Sequence, residues 1–302
     1  MQRGKRVCAI IVTWQPGPAV AGELARLVSQ VDGLVVVDNG SHSDLLSDIR
    51  SSSSESGFEL IELHENLGLA AAQNRGIAWA QTHGFELTLF FDQDSVIPSN
   101  FVRTIVTFYD EGQSRRSLAI VAPAYRDSRL GTDLVALRTA DGGLALAMCS
   151  GSLIPMTIFR NLGVFQEDLF IDYVDYEFSL RARSAGYVLK ECSAAVLLHA
   201  PADPQRKLLF SLLPVTTANY SAFRRYFLSR NLIWMVRHYG VRFPVICLRF
   251  VFNFLKDSVK IALVEEESSA KLLASLRGIG DGLRGKMGRY PGVKRSVRES
   301  IS

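Results

Sequence analysis

The chain is poor in cysteine and lacks any long uncharged hydrophobic run, and each shortage closes off a class of function. Its four cysteines, Cys8, Cys149, Cys192 and Cys247, are scattered over 302 residues without metal-type spacing. They outline neither a disulfide framework nor a zinc site, so a reducing cytosol is the expected setting. The basic start, Met1 to Arg6, is followed by a short apolar run that reaches Pro16 without a small-residue cleavage site. That run reads as a first strand, not a secretory signal. No stretch is long and uncharged enough to span a bilayer. The turn Trp14-Gln15-Pro16-Gly17-Pro18 lacks the glycine spacing that seats a dinucleotide pyrophosphate, which sets aside a nicotinamide-dependent oxidoreductase. No nucleic-acid recognition motif or interleaved stacking pattern is present.

What is present is a globular composition, 48% hydrophobic and 21% charged, at a length that suits one large domain or two. The net charge of +4 conceals an asymmetry. Residues 1–200 hold 16 Lys and Arg against 23 Asp and Glu, whereas residues 201–302 hold 18 against 7. An acidic part joined to a basic part suggests that the tail meets something anionic. Composition turns basic, aromatic and helical after Pro201 and Pro204, which predicts one domain over 1–202 and a helical region over 203–302.

Up to residue 92 the pattern alternates strand and helix. Strands are expected at 7–13, 34–37, 58–63 and up to Asp92, with a helix over 19–31, a serine-rich loop at 51–56 and an alanine-rich helix through about Thr82. Residues 119–160, with apolar runs at 120–124, 134–137 and 144–148, read as an irregular or hairpin sheet extension with Gly142-Gly143 as a turn, and 168–185 as a helix closed by Gly186. Alternation of this kind predicts an α/β, doubly wound sheet. Ligands then bind beyond the carboxyl ends of its strands, where Thr13, Asp38 with Asn39, and Asp92 with Asp94 all fall. Two carboxylates two residues apart at a strand end, as in Phe90-Phe91-Asp92-Gln93-Asp94-Ser95, supply hard oxygen ligands for Mg²⁺ or Mn²⁺ against a substrate's phosphates. A solvated turn would use the same residue types.

Four ordered stretches carry a wider resemblance: Val37-Asp-Asn-Gly-Ser41, Glu65-Asn-Leu-Gly-Leu-Ala-Ala-Ala-Gln-Asn-Arg-Gly76, Phe91-Asp-Gln-Asp-Ser95 and Phe170-Ile-Asp-Tyr-Val-Asp-Tyr-Glu-Phe-Ser-Leu-Arg181. Together they resemble the family 2 inverting glycosyltransferases of GT-A fold, and among these the bacterial rhamnosyltransferases, with a continuation at Tyr226–Leu232. The resemblance implies a mixed GT-A sheet and a nucleotide-sugar site lined by Thr13, Asp38, Asn66, Gly68, Arg75, Asp92 and Gln93. It implies a divalent cation, Mg²⁺ or Mn²⁺, on Asp94 and Asp92 with His199 as a further contact. It places the catalytic base at Asp175 or at Asp172. On a continuous helix those two acids would share a face, so the choice stays open. Arg181 is expected to pair with a local acid.

The implied reaction moves L-rhamnose from dTDP-β-L-rhamnose to a hydroxyl of a lipid-linked bacterial surface glycan. Another donor, such as a UDP-hexose, is the alternative. A non-catalytic scaffold would instead tolerate Asp94→Asn and Asp175→Asn. In the tail, Arg249, Asn253, Lys256 and Lys260 form a polar stripe at helical spacing, opposite Phe250, Val251, Phe254 and Leu255. A helix of this kind suits an anionic membrane surface on the cytoplasmic face, or a homodimer contact.

Overall fold

The apolar runs near the amino terminus pair as parallel strands. The computed structural model describes residues 4–112, 118–127, 131–199, 205–209 and 213–290. It divides into two compact units, Met1–Glu167 with Val174–His199, and Asp168–Tyr173 with Ala200–Ser302.

The first unit is built on seven strands: β1 (Val7–Thr13), β2 (Gly33–Asp38), β3 (Glu59–Glu62), β4 (Leu87–Asp92), β5 (Leu118–Asp127), β6 (Leu153–Pro155) and β7 (Val188–His199). Their order is β3-β2-β1-β4-β6-β5-β7. The first four are parallel, β6 runs antiparallel to both β4 and β5, and β5 is parallel to β7. Strands β1, β2 and β4 are almost continuously buried, as expected where helices cover both faces of a sheet. Helix α1 (Val20–Val28) lays Val20, Leu24 and Leu27 on that sheet. Each such burial is worth roughly 2 kcal/mol. The register sets the future site: Thr13 lies opposite Asp38, and Val12 opposite Asp92. Polar tips that are 25 and 79 residues from Thr13 thus reach one edge.

Three local expectations are corrected. The serine-rich stretch is part of helix α2 (Ser47–Ser56), not a loop. Ile49 anchors it, Ser53 Oγ donates to Phe58 O and Ser54 Oγ to Arg50 O, so the hydroxyls find partners without breaking the helix. The strands expected at 134–137 and 144–148 do not form, and residues 131–152 take the irregular course, held by isolated bridges (Arg126 to Asp133, Arg138 to Leu144, Phe90 to Ser150) and by backbone bonds such as Leu134 N to Tyr125 O and Ala145 N to Leu137 O. The three-residue β6 that follows is too short to show a period. Finally, 168–185 is not one helix: after helices α3 (Leu69–Thr82), α4 (Phe101–Gly112) and α5 (Met156–Leu162), helix α6 covers only Val174–Ser184.

The second unit contains the β8–β9 hairpin (Gln205–Leu209, Leu213–Thr217) and helices α7 (Ala222–Tyr239), α8 (Pro244–Val264) and α9 (Ser268–Leu283). Segment Asp168–Tyr173 belongs here because α7 holds it. Phe170, Asp172 and Tyr173 all have φ between 62° and 66°, a region costly for residues with a side chain. Buried Asn231 Nδ2 donates to Leu169 O, Ile171 O and Asp172 O, while Arg230 Nη2 donates to Asp168 O and Leu169 O. Phe170 stacks on Phe227 at 4.8 Å. These contacts offset the strain and explain why the helix cannot begin at 168. Among the described residues, no helix is long and apolar enough to cross a membrane.

Candidate active site at the carboxyl ends of the parallel strands

At the exit of β2 the buried Asp38 carboxylate is the hub of a turn. It accepts hydrogen bonds from Thr13 Oγ1 (3.1 Å), Ser41 Oγ, Gly40 N (3.1 Å) and Ser41 N (2.8 Å). A carboxylate has about four acceptor positions, and here three are met by the turn and one by Thr13 at the end of β1. Asp38 is therefore an organising group here rather than an open acceptor. Gly40 is required: it has φ +85°, and a Cβ there would lie 2.4 Å from the Glu65 backbone. Asn39 bridges the turns, with Nδ2 donating to Asn66 Oδ1 (3.1 Å) and Oδ1 accepting from Leu67 N (2.8 Å). Asn66 Oδ1 also accepts from Gly68 N, which leads into α3 with φ +95°. Asn39 reads as an ordinary turn residue in sequence, and its bridging role shows only in the fold. Arg75 is exposed on α3.

The exit of β4 is tied to that of β1 by Gln93. Its Nε2 donates to Trp14 O (3.2 Å) and its Oε1 accepts from Trp14 N (2.9 Å). Ser150 Oγ accepts from Asp92 N (3.3 Å) and meets Ser95 Oγ at 3.1 Å, and Ser95 N donates to Asp92 O. This frame leaves the Asp92 and Asp94 residues exposed at the strand tip. Ser150 lies in the irregular segment, and no pattern marks it in the sequence.

Helix α6 is pressed toward β4 by an aromatic cluster. Phe178 packs on Phe159 and Phe165, at centroid separations of 5.2 and 5.0 Å, and both of those contact Phe90 of β4. Such ring pairs add about 0.5–1.5 kcal/mol beyond area burial. Ser179 Oγ accepts from Ala147 N, holding the segment before Cys149 against the same helix. Asp175 consequently sits half-buried in the first turn of α6, accepting from Tyr176 N at 2.9 Å. Burial pushes its carboxyl up from 3.8 to about 7; backbone N–H groups of Tyr176, Asp175 and Cys149 oppose the shift, and the negative charge of Asp92 adds to it. Burial also raises the Tyr125 hydroxyl and the Cys149 thiol, and both feel Asp175 and Asp92. The end of β4 and the start of α6 therefore share one electrostatic neighbourhood.

Asp172 behaves differently. It precedes α6, carries φ +62° and pairs with Arg224 at 3.0 Å, so the shared helical face expected of Asp172 and Asp175 does not exist. Arg181 does pair locally, with Glu177 at 2.6 Å, and also donates to Leu162 O and Val164 O. The side chain of His199 lies outside the described residues. Among the described residues no group of three or more His, Cys, Asp or Glu is placed to hold a metal ion. Asp92 and Asp94 nonetheless fit a divalent cation that keeps waters and takes its other oxygens from a diphosphate, since such ions do not need an all-protein cage.

Residues 8–140 match the family model described as glycosyl transferase family 2. The chain is 28% identical over 304 residues to the dTDP-rhamnosyl transferase RfbF of Shigella flexneri, covering 93% of this chain and 97% of the relative. Its fold is similar to that of the mannosyltransferase PcManGT from Pyrobaculum calidifontis, solved with GDP-Man and Mn²⁺ (TM-score 0.58, 17% identity, 94% of this chain and 84% of that one). It is also similar to GalNAc-T7 solved with UDP, GalNAc and Mn²⁺ (TM-score 0.52, 15% identity, 66% and 44%).

Proposed function

We propose that this chain, a glycosyltransferase with a family 2 domain on a GT-A fold, transfers L-rhamnose from dTDP-β-L-rhamnose with inversion. The acceptor is a hydroxyl of a lipid-linked bacterial surface glycan intermediate, met at the cytoplasmic face of the membrane. The observation that carries the reading is the placement of Asp175 in the first turn of α6, a helix packed through Phe178, Phe159 and Phe165 onto the strand that ends in Asp92, where burial and the charge of Asp92 raise its carboxyl. A base with its pKa near the working pH is best matched to taking a proton from an alcohol in the transition state. The relative's name supports the donor.

The acceptor oxygen attacks the anomeric carbon as its proton passes to Asp175. The bond from that carbon to the diphosphate oxygen breaks, and the nucleoside diphosphate leaves with the electron pair. Asp94 and Asp92 are the residues that would hold a divalent cation. Such an ion, when bound, neutralises charge on the leaving diphosphate. The turns built on Asp38, Asn39, Asn66 and Gly68 border the nucleotide, and Gln93 fixes the acidic tip against β1. Asp172 is an ion-pair partner in this scheme, not the base.

Donor identity is tested by incubating the protein and Mn²⁺ with a panel of nucleotide sugars, reading thermal protection and sugar release. Protection by dTDP-rhamnose is the expected result. Protection by a UDP-hexose but not by dTDP-rhamnose overturns the donor assignment while leaving the transferase class intact.

A further inference from the structure

Helix α8 has two apolar faces, and only one is covered. Ile246, Cys247, Phe250 and Ile261 point into the second unit and are buried. On the opposite side Val245, Leu248, Phe252, Leu255, Val259 and Leu263 recur every three or four residues, and each is between 53% and 77% exposed. At 1.5 Å per residue this stripe runs about 27 Å, nearly the whole helix. Contiguous exposed apolar surface of this kind marks an interaction face rather than ordinary scatter.

The charges beside the stripe identify what it meets. Exposed Arg249 and Lys256 each follow a stripe residue, Val245 and Phe252, by one helical turn and so form a row along its edge. The single acid of α8, Asp257, is half-buried and shares its row with the inward residues Phe250 and Ile261. An apolar stripe edged by cations along the helix, with exposed acids (Glu266, Glu267) only past its carboxyl end, matches the boundary between lipid headgroups and acyl chains. A second copy of this chain fits less well, because residues 201–302 carry 18 basic against 7 acidic groups and two such regions repel.

We propose that the outward face of α8 docks this enzyme on an anionic lipid surface, apolar stripe in the interface and Arg249 and Lys256 on the headgroup phosphates. The inference names a surface and does not depend on which nucleotide sugar is used.

The test is cosedimentation of the full-length protein with vesicles of phosphatidylcholine alone or mixed equally with phosphatidylglycerol. The protein is expected to bind the anionic vesicles, with affinity falling as salt rises. Arg249→Glu/Lys256→Glu is expected to weaken binding by at least about tenfold, and Leu248→Glu/Phe252→Glu to abolish it. All four positions are exposed, so thermal protection by dTDP is expected to stay unchanged and to report an intact fold. Should the apolar-face variant misfold, the charge variant decides alone. Absence of wild-type binding to anionic vesicles, or variants that bind like wild type, overturns the proposal. So does a wild-type dimer in light scattering that Leu248→Glu/Phe252→Glu converts to monomer, which would assign the face to a second copy. A failure of dTDP-rhamnose as donor would leave the vesicle result untouched.

Discussion

The two units treat their polar groups in opposite ways. In the first, Thr13, Asp38, Asn39, Gln93 and Ser150 are tied to turns at strand ends, and the acids they frame, Asp92 and Asp94, face outward. In the second, one set of charges is buried and used inside the unit. Glu265 is buried against Lys271 at 2.9 Å and Arg225 at 3.6 Å, and buried Arg230 donates to the backbone at Asp168 and Leu169. What that unit leaves outside on α8 is apolar with a basic edge. A polar frame around outward acids suits a charged small substrate and its cation. A buried ionic network suits a scaffold that supports a surface.

Asp175 and Asp172 sharpen this contrast most, because they are three residues apart and fall in different units. Asp175→Asn should lower the rate of transfer by about 10³-fold, without loss of dTDP protection, as measured by single-turnover kinetics. Asp172→Asn should cost far less; an equal loss from both would assign Asp172 a share in the chemistry.

The pH profile gives the next largest effect. With Asp175 as the proposed base, kcat/KM should fall with decreasing pH below about 7, and the Asp175→Asn residual rate should lack that limb. The stability consequence has the opposite sign. A carboxyl raised in the fold binds more protons folded than unfolded between its ordinary 3.8 and about 7, so stability declines as pH rises through that window. Denaturant midpoints of Asp175→Asn should not show this decline, and the variant should be the more stable protein at neutral pH.

Within the second unit, Asn231→Ala leaves three carbonyls without their side-chain donor. It should cost roughly 1–3 kcal/mol in urea unfolding. A comparable effect is expected from the Asp172–Arg224 pair, which is joined by three hydrogen bonds and whose side chains keep only 10% and 24% of their surface. A double-mutant cycle should return a coupling of about 0.5–3 kcal/mol.

Much of the site was legible in order and spacing. Apolar runs ending in Thr13, Asp38 and Asp92 implied a common edge, and the parallel register delivers it. The motif around Asp175 was legible as a resemblance, but its helix start was not. Residues 168–173 have ordinary helical composition, and they are kept out of the helix by Asn231 and Arg230, about sixty positions away. Ser150 was invisible for a related reason: its role depends on lying beside Asp92, and nothing in its own neighbourhood marks that.

By itself the sequence determined the alternation, the acidic strand tips and the periodicity of α8, because these depend on neighbours one to four residues apart. The tertiary structure alone decided that Asp172 pairs with Arg224 while Asp175 opens α6, and which side of α8 faces outward. Periodicity sorts a helix into stripes, but with two apolar stripes available it cannot say which is covered. The sequence reading set Phe250 and Leu255 together on one face, whereas the fold buries Phe250 and exposes Leu255. That choice belongs to long-range packing, which acts between residues that local spacing does not connect.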